Sequence, residues 1–452
     1  MLAVAGSRLT SAPDRNPLPE EARASLAEMG RADILVGIPS FNTAETVGRV
    51  VTAVEAGLRK LFPDASAVIC VSDGGSADGT LDAAMSAGVG GDEERYLVPR
   101  GSPVPRKLGF RYGGPSGKGS AVRSIVEAAR RLEVSACAVV DADLRSITPY
   151  WLDRFLGPVV RHGYGFVAPL YTRHKYDATI TNSVAFPLTT ALYGLRLRQP
   201  IGGDFGFSGE LAEVFAAEDV WDTDVARFGI DVWMTTVAVV RGVKACQAFL
   251  GAKIHDPKDP GQDLGPMFRQ VVGSLYDLAG RFSERWWEVD GATVPATLGF
   301  PAEFSAAPVE VSLPRLHRKF VEGYVEHRDS WGGVLSTPSM EGIERAVSEA
   351  SDSDGALVLD GAAWTRILYD FLVAHRTGAM PARELLDSLI PLYFARTATF
   401  IEETRNASPE EAERRIQEGV DLAVELKPYL RKRWTEAGLP EPRAPELASE
   451  RA

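Results

Sequence analysis

Between residues 33 and 170, short apolar runs alternate with stretches of helical periodicity, and this alternation leaves few folds open. "DILVGIPS" (Asp33–Ser40) is a nearly continuous apolar run, Ala44–Leu61 has helical spacing, "SAVICVS" (Ser66–Ser72) is apolar again, and a helix begins near Thr80. "RYLVP" (Arg95–Pro99), "ACAVV" (Ala136–Val140) and "YGFVAPL" (Tyr164–Leu170) read as further strands, with a helix over Lys118–Leu132. Strands without polar alternation are buried on both faces. The pattern therefore predicts an α/β fold with a mainly parallel sheet and helices on both sides. Ligands of such sheets bind beyond the carboxyl ends of the strands. The informative loops should follow Ile38, Val71, Pro99 and Val140.

After about Pro260 the runs become long and amphipathic: Leu264–Trp287, Leu313–Asp329, Gly361–Arg376, Ala382–Arg405 and Pro409–Thr435. A chain of 452 residues exceeds one ordinary core. The expected division is a flexible N-terminal arm (1–31) with a short helix at Pro19–Met29, an α/β catalytic domain (32–260), a helical C-terminal domain (261–440) and a tail (441–452). The helical faces carry more apolar surface than one side of a small sheet can cover, which predicts a homo-oligomer, most simply a two-fold dimer. The net charge of -12 argues against a nucleic-acid surface, which needs concentrated Lys and Arg. Cys70, Cys137 and Cys246 sit in apolar, strand-like runs without metal or disulfide spacing, as reduced core thiols of a cytoplasmic protein would. No run reaches the ~18 apolar residues of a membrane span. The first ~30 residues lack the apolar stretch of a secretory signal.

The chemistry-bearing residues lie in the predicted loops. "CAVVDADLRS" (Cys137–Ser146) ends a strand on Asp141 and Asp143, two carboxylates on one face. They could reach one hard cation, which prefers oxygen ligands; the plainer reading is a surface turn. "GGPSGKGSAVRS" (Gly113–Ser124) looks like a phosphate cradle opening a helix, or a solvated turn. It is no Walker A motif, since Tyr112 and Gly119 stand where Gly and Ser/Thr are required. In "GIPSFNTAET" (Gly37–Thr46), Asn42 or Thr43 can cap the next helix, and in "VSDGGSADGT" (Val71–Thr80) so can Ser76 or Asp78. Neither loop is the G-x-G-x-x-G of a dehydrogenase.

As an ordered set, "IPSFNTAET", "SDGGSADGT", "GKGSAV" and "VVDADL" resemble the nucleotide-sugar half of GT-A glycosyltransferases. "QPIGGDFGFS" (Gln199–Ser208), "FGIDVWM" (Phe228–Met234) and "GAKIHD" (Gly251–Asp256) are similar to the retaining enzymes that make mannosylglycerate and to the related glucosyl-phosphoglycerate synthases. The likeness covers Ala32 to Pro260, and more faintly Leu392–Phe400. It implies that Asp143 and His255 bind a divalent cation, Mg²⁺ or Mn²⁺, with Asp141 beside them facing the ribose or sugar. Pro39, Asn42 and Glu45 would hold the nucleoside, Asp73 the base, and Lys118 the diphosphate or base. Gly202, Gly203 and Asp204 fall where the family has Gly-Gly-Glu. Asp204 and Asp231 would serve the reacting sugar.

The acceptor region is "YTRHKYDATITNS" (Tyr171–Ser183). It has a "DATIT" like the mannosylglycerate loop and lacks the glycine-rich segment that grips a phosphate. Arg173, Asp177 and Thr181 would bind the acceptor, Arg173 as a fork for a carboxylate. The activity implied is metal-dependent, retaining transfer of glucose or mannose from a UDP- or GDP-linked donor to glycerate or a similar small hydroxy acid. 3-Phosphoglycerate is the nearest alternative acceptor. Two other classes compete. A sugar-phosphate nucleotidyltransferase would carry its glycine-rich loop near the first strand, whereas here it follows the third. A non-catalytic nucleotide-sugar sensor would have no use for a full set of metal ligands.

Overall fold

The computed structural model describes residues 16–90, 93–254, 264–301, 309–351 and 357–442. Among the described residues eight strands form one sheet: β1 (Ile34–Ser40), β2 (Ala67–Asp73), β3 (Arg106–Arg111), β4 (Ala136–Val139), β5 (Phe166–Thr172), β6 (Phe205–Ser208), β7 (Ala245–Ala252) and β8 (Ala296–Leu298). Their order is β3-β2-β1-β4-β6-β5-β7-β8. Only β6 runs against its neighbours, β4 and β5. In the middle, Val36 of β1 lies opposite Ile69 of β2 on one side and Ala138 of β4 on the other. The expected α/β fold with a mainly parallel sheet, followed by a helical region, is the fold observed.

The third strand is not where the apolar run pointed. "RYLVP" begins as a single helical turn, Glu93–Tyr96, and leaves Leu97 exposed at φ 55°. The true β3 is "RKLGFR", an edge strand that buries Leu108 and Phe110 and leaves Arg111 in solvent. An edge strand covered on one face reads as alternation, so no continuous run marks it. The loop that follows Arg111, not Pro99, is therefore the one at the ligand edge.

The presumed loose arm is docked from Leu18 onward. Leu18, Ala22 and Leu26, on the side of helix Glu20–Met29, are buried in the main core. The Arg106 guanidinium donates to the carbonyls of Met29 (2.6 Å) and Arg31 (3.0 Å). Residues 1–15 lie outside the described residues, as do 443–452 of the tail and the expected boundary at 260.

The helical region comprises Gly265–Arg281, Ser283–Trp287, Leu313–Trp331, Thr337–Ser351, Gly361–Thr377, Ala382–Thr404, Pro409–Glu425 and Lys427–Glu436. The last stretch, expected to be one helix, breaks at Leu426. Pro428 in the first turn of the next helix has no N–H to continue the ladder. One apolar core runs from Leu18 through Phe268, Leu275 and Leu389 to Trp434. The helical faces pack helix on helix and helix on sheet, with Val321 and Val325 of helix Leu313–Trp331 left exposed; the homo-oligomer expected from these faces is a proposal. Among the described residues no helix is long and apolar enough to cross a membrane.

Candidate active site

A cavity of about 700 Å³ opens beyond the strand ends. Pro39 and Ser40 end β1, Asp141 and Asp143 follow β4, Arg173 follows β5 and Lys253 follows β7, and all of them line it. Sequential distance is irrelevant here: neighbouring parallel strands deliver their carboxyl ends to one edge. Of the residues proposed from sequence, Pro39, Lys118, Asp141, Asp143, Arg173, Asp177, Thr181, Gly202, Gly203 and Asp231 are brought together at this cavity.

At its floor three carboxylates meet two ammonium groups. Lys118 Nζ lies 2.8 Å from Asp141 Oδ1 and 3.3 Å from Asp231 Oδ1, and donates to the Gly203 carbonyl at 2.8 Å. Lys253 Nζ lies 2.9 Å from Asp141 Oδ2 and 2.7 Å from Asp204 Oδ2. Asp204 is fully buried. It accepts from the Asp141 backbone N–H at 2.7 Å and from the Tyr171 hydroxyl. It therefore props Asp141 from behind rather than lining the cavity, so a direct contact with the sugar does not follow from its position. Gly203 sits at φ 93°, and a Cβ there would lie 2.5 Å from Asp141 Oδ2 and 2.9 Å from Lys253 Nζ. Only glycine suits this crossing.

The cluster spreads its proton affinities apart. Burial alone would depress Lys118, but the Asp141, Asp231 and Asp204 charges outweigh it and raise it above the ordinary lysine value. Lys253 is raised for the same reason, by Asp141 and Asp204 against burial. Burial pushes Asp141 up, yet the two lysines together hold it well below the usual carboxylate range. Asp231, with one lysine partner, is raised by burial and by the Asp141 charge. Lys253 was missed as a site residue, although "GAKIHD" contained it. A lysine at a strand end is unremarkable until β7 is known to lie beside β5.

In the glycine-rich loop the N–H groups of Gly117 and Gly119 are taken up within the chain, that of Gly117 by the Tyr112 hydroxyl, while Lys118 faces the cavity. The Gly119 N–H, at the start of helix Lys118–Arg131, donates to the Arg227 carbonyl at 3.1 Å. A Cβ on Gly119 would lie 1.8 Å from the Val225 carbonyl. The glycines thus permit close packing of the helix start on residues 225–227. That packing carries Arg227 and Phe228 to the cavity and Asp231 to Lys118.

The loops after β1 and β2 are stapled to each other. The Asn42 N–H donates to Ser76 Oγ (2.8 Å), and its Oδ1 accepts from the Ala77 N–H (3.1 Å), with Asn42 at φ 50°. Asn42 caps no helix, and neither it nor the exposed Glu45 lines the cavity. Asp73 was expected to read a base. Its carboxylate instead accepts from Ser40 Oγ, Ser76 Oγ and the N–H groups of Gly75 and Ser76, at 2.6–3.2 Å, and it is 1% exposed. Those donors lie in its own loop or on the adjoining strand end, and they leave it no edge for a ligand.

In the loop expected to bind an acceptor, Arg173 Nη1 pairs with Asp177 Oδ2 at 2.9 Å, and its guanidinium lies over the Tyr171 ring. Arg173 Nε is buried without a hydrogen-bond partner among the described residues. Thr181 begins a π-helical turn, Thr181–Ala185, and is buried at the cavity wall. Met267, Gln270 and Val271, from the helical region, complete the wall. No motif announced them.

The cation site is incomplete within the described residues. Asp143 offers the oxygen chemistry a hard cation needs and lines the cavity. Asp141, also expected as a ligand, has each oxygen held by a lysine. His255 lies outside the described residues. Among those residues no group of three His, Cys, Asp or Glu side chains could hold a metal ion.

No protein-family model matches the chain, and no curated protein matches it. Solved structures do. Glucosyl-3-phosphoglycerate synthase from Mycobacterium tuberculosis, in complex with Mg²⁺ and uridine diphosphate, is 23% identical with a TM-score of 0.40, over 57% of this chain and 83% of that one. The same enzyme with Mn²⁺, UDP-glucose and phosphoglyceric acid gives 22% and 0.40, over 58% and 82%. These neighbours are of the enzyme class that the motif set resembles. A likeness of this size says nothing of substrate.

Proposed function

We propose that this chain is a glycosyltransferase of GT-A type that moves a hexose, with retention of configuration, from a nucleoside diphosphate to glycerate or a similar small hydroxy acid. One observation carries the reading. Asp141, Asp143 and Asp231 share a cavity with Lys118 and Lys253 at the carboxyl edge of a mainly parallel sheet, beside an arginine whose buried Nε has no hydrogen-bond partner among the described residues. A diphosphate entering there would take over the two ammonium groups that now neutralise Asp141 and Asp204, so charge leaving with the nucleotide meets positive side chains already in place. Asp231 would accept hydrogen bonds from sugar hydroxyls. Arg173 and Thr181 would hold the acceptor carboxylate. Asp177 already balances the single positive charge of Arg173, so no surplus charge there favours an added phosphate over a carboxylate. A divalent cation is part of the proposal: Asp143 would hold it, with His255 as the expected partner. Bound there it would neutralise charge on the departing diphosphate. The cytoplasmic location is likewise proposed, on three buried free thiols.

The test is a donor-by-acceptor screen read by mass: UDP- and GDP-linked glucose and mannose against glycerate and 3-phosphoglycerate, with and without Mg²⁺ or Mn²⁺. A hexosyl-glycerate product supports the reading. Pyrophosphate released from nucleoside triphosphate and sugar phosphate would replace it with nucleotidyl transfer. Binding without turnover under every condition would replace it with a sensor.

A further inference from the structure

We propose that Lys175 is a positioning residue that latches the acceptor loop to the helical region; this rests on the acceptor role proposed for Arg173 and Thr181. The loop after β5 reverses at His174–Asp177, where the Asp177 N–H donates to the His174 carbonyl at 2.9 Å. Ala178 follows at φ 56°, a conformation that an alanine holds only when its surroundings impose it. Within this turn the side chains divide. Arg173 and Asp177 meet at the cavity, while Lys175 and Tyr176 reach the helical region.

Lys175 Nζ donates to the carbonyls of Thr404 (2.6 Å), Ala407 (2.9 Å) and Arg405 (3.3 Å). Thr404 is the last residue of helix Ala382–Thr404, where carbonyls have no partner inside the helix and carry its negative end. An ammonium has three protons, and three acceptors converge on it. The receiving turn is held independently. The Ala407 N–H donates back to the Thr404 carbonyl (3.0 Å), and Ser408 and Glu411 form a capping box on the next helix. The cage thus belongs to the helical region, and the loop brings the cation that fills it. Tyr176 packs edge-on against Phe400 beside it. Further along, the Trp364 indole N–H donates to the Ser183 carbonyl at 2.7 Å, pinning the turn that carries Thr181. The strained segment between Arg173 and Thr181 is therefore set from outside the α/β domain, more than 220 residues away in sequence.

The experiment compares wild type with Lys175→Met and Lys175→Arg. It measures acceptor KM and kcat with glycerate, donor Kd by calorimetry with the UDP-sugar, and deuterium uptake of peptides covering 171–183. Lys175→Met should raise the glycerate KM about tenfold, as the loss of charge-assisted bonds implies. Donor Kd should stay within about twofold, and the 171–183 peptides should exchange faster. Lys175→Arg, which keeps the charge but not the compact ammonium, should recover part of both changes. Unchanged exchange and unchanged glycerate KM in Lys175→Met would overturn the latch, as would a donor Kd that rises in step with KM. Should wild type transfer no sugar to any hydroxy acid, the proposed function fails, and the exchange comparison still decides the latch.

Discussion

Asp141 and Asp370 are both carboxylates held by donors, two ammonium groups for Asp141 and four donors for Asp370, yet one lines a cavity and the other belongs to a scaffold. Asp370, on helix Gly361–Thr377, is fully buried. Its Oδ1 accepts from Tyr429 (2.6 Å) and Arg433 (2.8 Å), and its Oδ2 from the Ser336 N–H (3.0 Å) and Ser339 Oγ (2.7 Å). Three neutral donors and one guanidinium satisfy it, and it does not line the cavity that Asp141 lines. Asp141 is held by two ammonium groups, its backbone N–H leans on another carboxylate, and it faces open space. A carboxylate that is structural is surrounded by donors fixed in place. A carboxylate poised for a ligand is neutralised by long, rotatable cations that an incoming anion can recruit, and its neighbours' proton affinities are driven apart.

The sharpest break of that comparison is to remove each acid. Asp141→Asn should lower transfer by about a hundredfold or more, the scale of losing one preorganised electrostatic partner. Its thermal midpoint should move little, because Lys118 keeps Asp231 and Lys253 keeps Asp204. Asp370→Ala should do the reverse. It leaves the Arg433 side chain and three hydroxyl or amide donors facing an absent partner, so denaturant unfolding should report a loss of about 3–5 kcal/mol. Turnover per folded molecule should be preserved. If Asp370→Ala lowered kcat at full folding, or Asp141→Asn unfolded the chain, the distinction between site and scaffold would be wrong.

How far these two centres were legible in sequence differs for the same physical reason. Asp141, Asp143 and Lys118 stand at the ends of elements that local patterning marks, and parallel topology sends such ends to one edge. Lys253 became visible only once β7 was placed beside β5, a pairing across about 80 residues. Asp73 looks available in sequence as a carboxylate in a Gly/Ser loop, whereas nearby hydroxyls and N–H groups hydrogen-bond it, which no local pattern announces. The edge strand β3 misled because its single buried face leaves only Leu108 and Phe110 as signal. Asp370 could not be read at all. Its partners come from two other segments, Ser336 and Ser339 from one and Tyr429 and Arg433 from another, and no short-range pattern links either segment to Asp370.

A second break concerns the two sides of the cavity. Arg173→Ala removes a charge-assisted, bidentate-capable contact of the kind that contributes about 1.5–3 kcal/mol. Acceptor kcat/KM should fall roughly ten- to a hundredfold, while donor Kd barely moves. Thr181→Val should act in the same direction and more weakly. Steady-state kinetics beside donor calorimetry decides it. A loss of donor affinity in Arg173→Ala would place the arginine with the Asp141 cluster and move the acceptor elsewhere.

The smallest effect tests a buried cation that, unlike Lys118, makes no ion pair among the described residues. Lys427 is 2% exposed, and its Nζ donates to the carbonyls of Val289 (2.5 Å) and Leu192 (3.4 Å). Burial, with the Arg431 cation nearby, lowers it from its ordinary 10.5 to about 7. The unfolded chain then binds this proton more tightly than the folded one. Between about pH 7 and 10.5 the unfolded state carries more protons, so stability rises with pH through that window and the penalty is fully present below about 7. Lys427→Met fills similar space without a charge and should flatten that slope. From pH 7 to 9 the urea-unfolding free energy of wild type should gain about 1–2 kcal/mol on the variant. Other titrating groups act on both proteins, so the difference between the two curves isolates this one. Parallel curves would mean that the two carbonyls solvate the ammonium well enough to hold its proton. Lys118 and Lys427 would then differ in their surroundings but not in charge state.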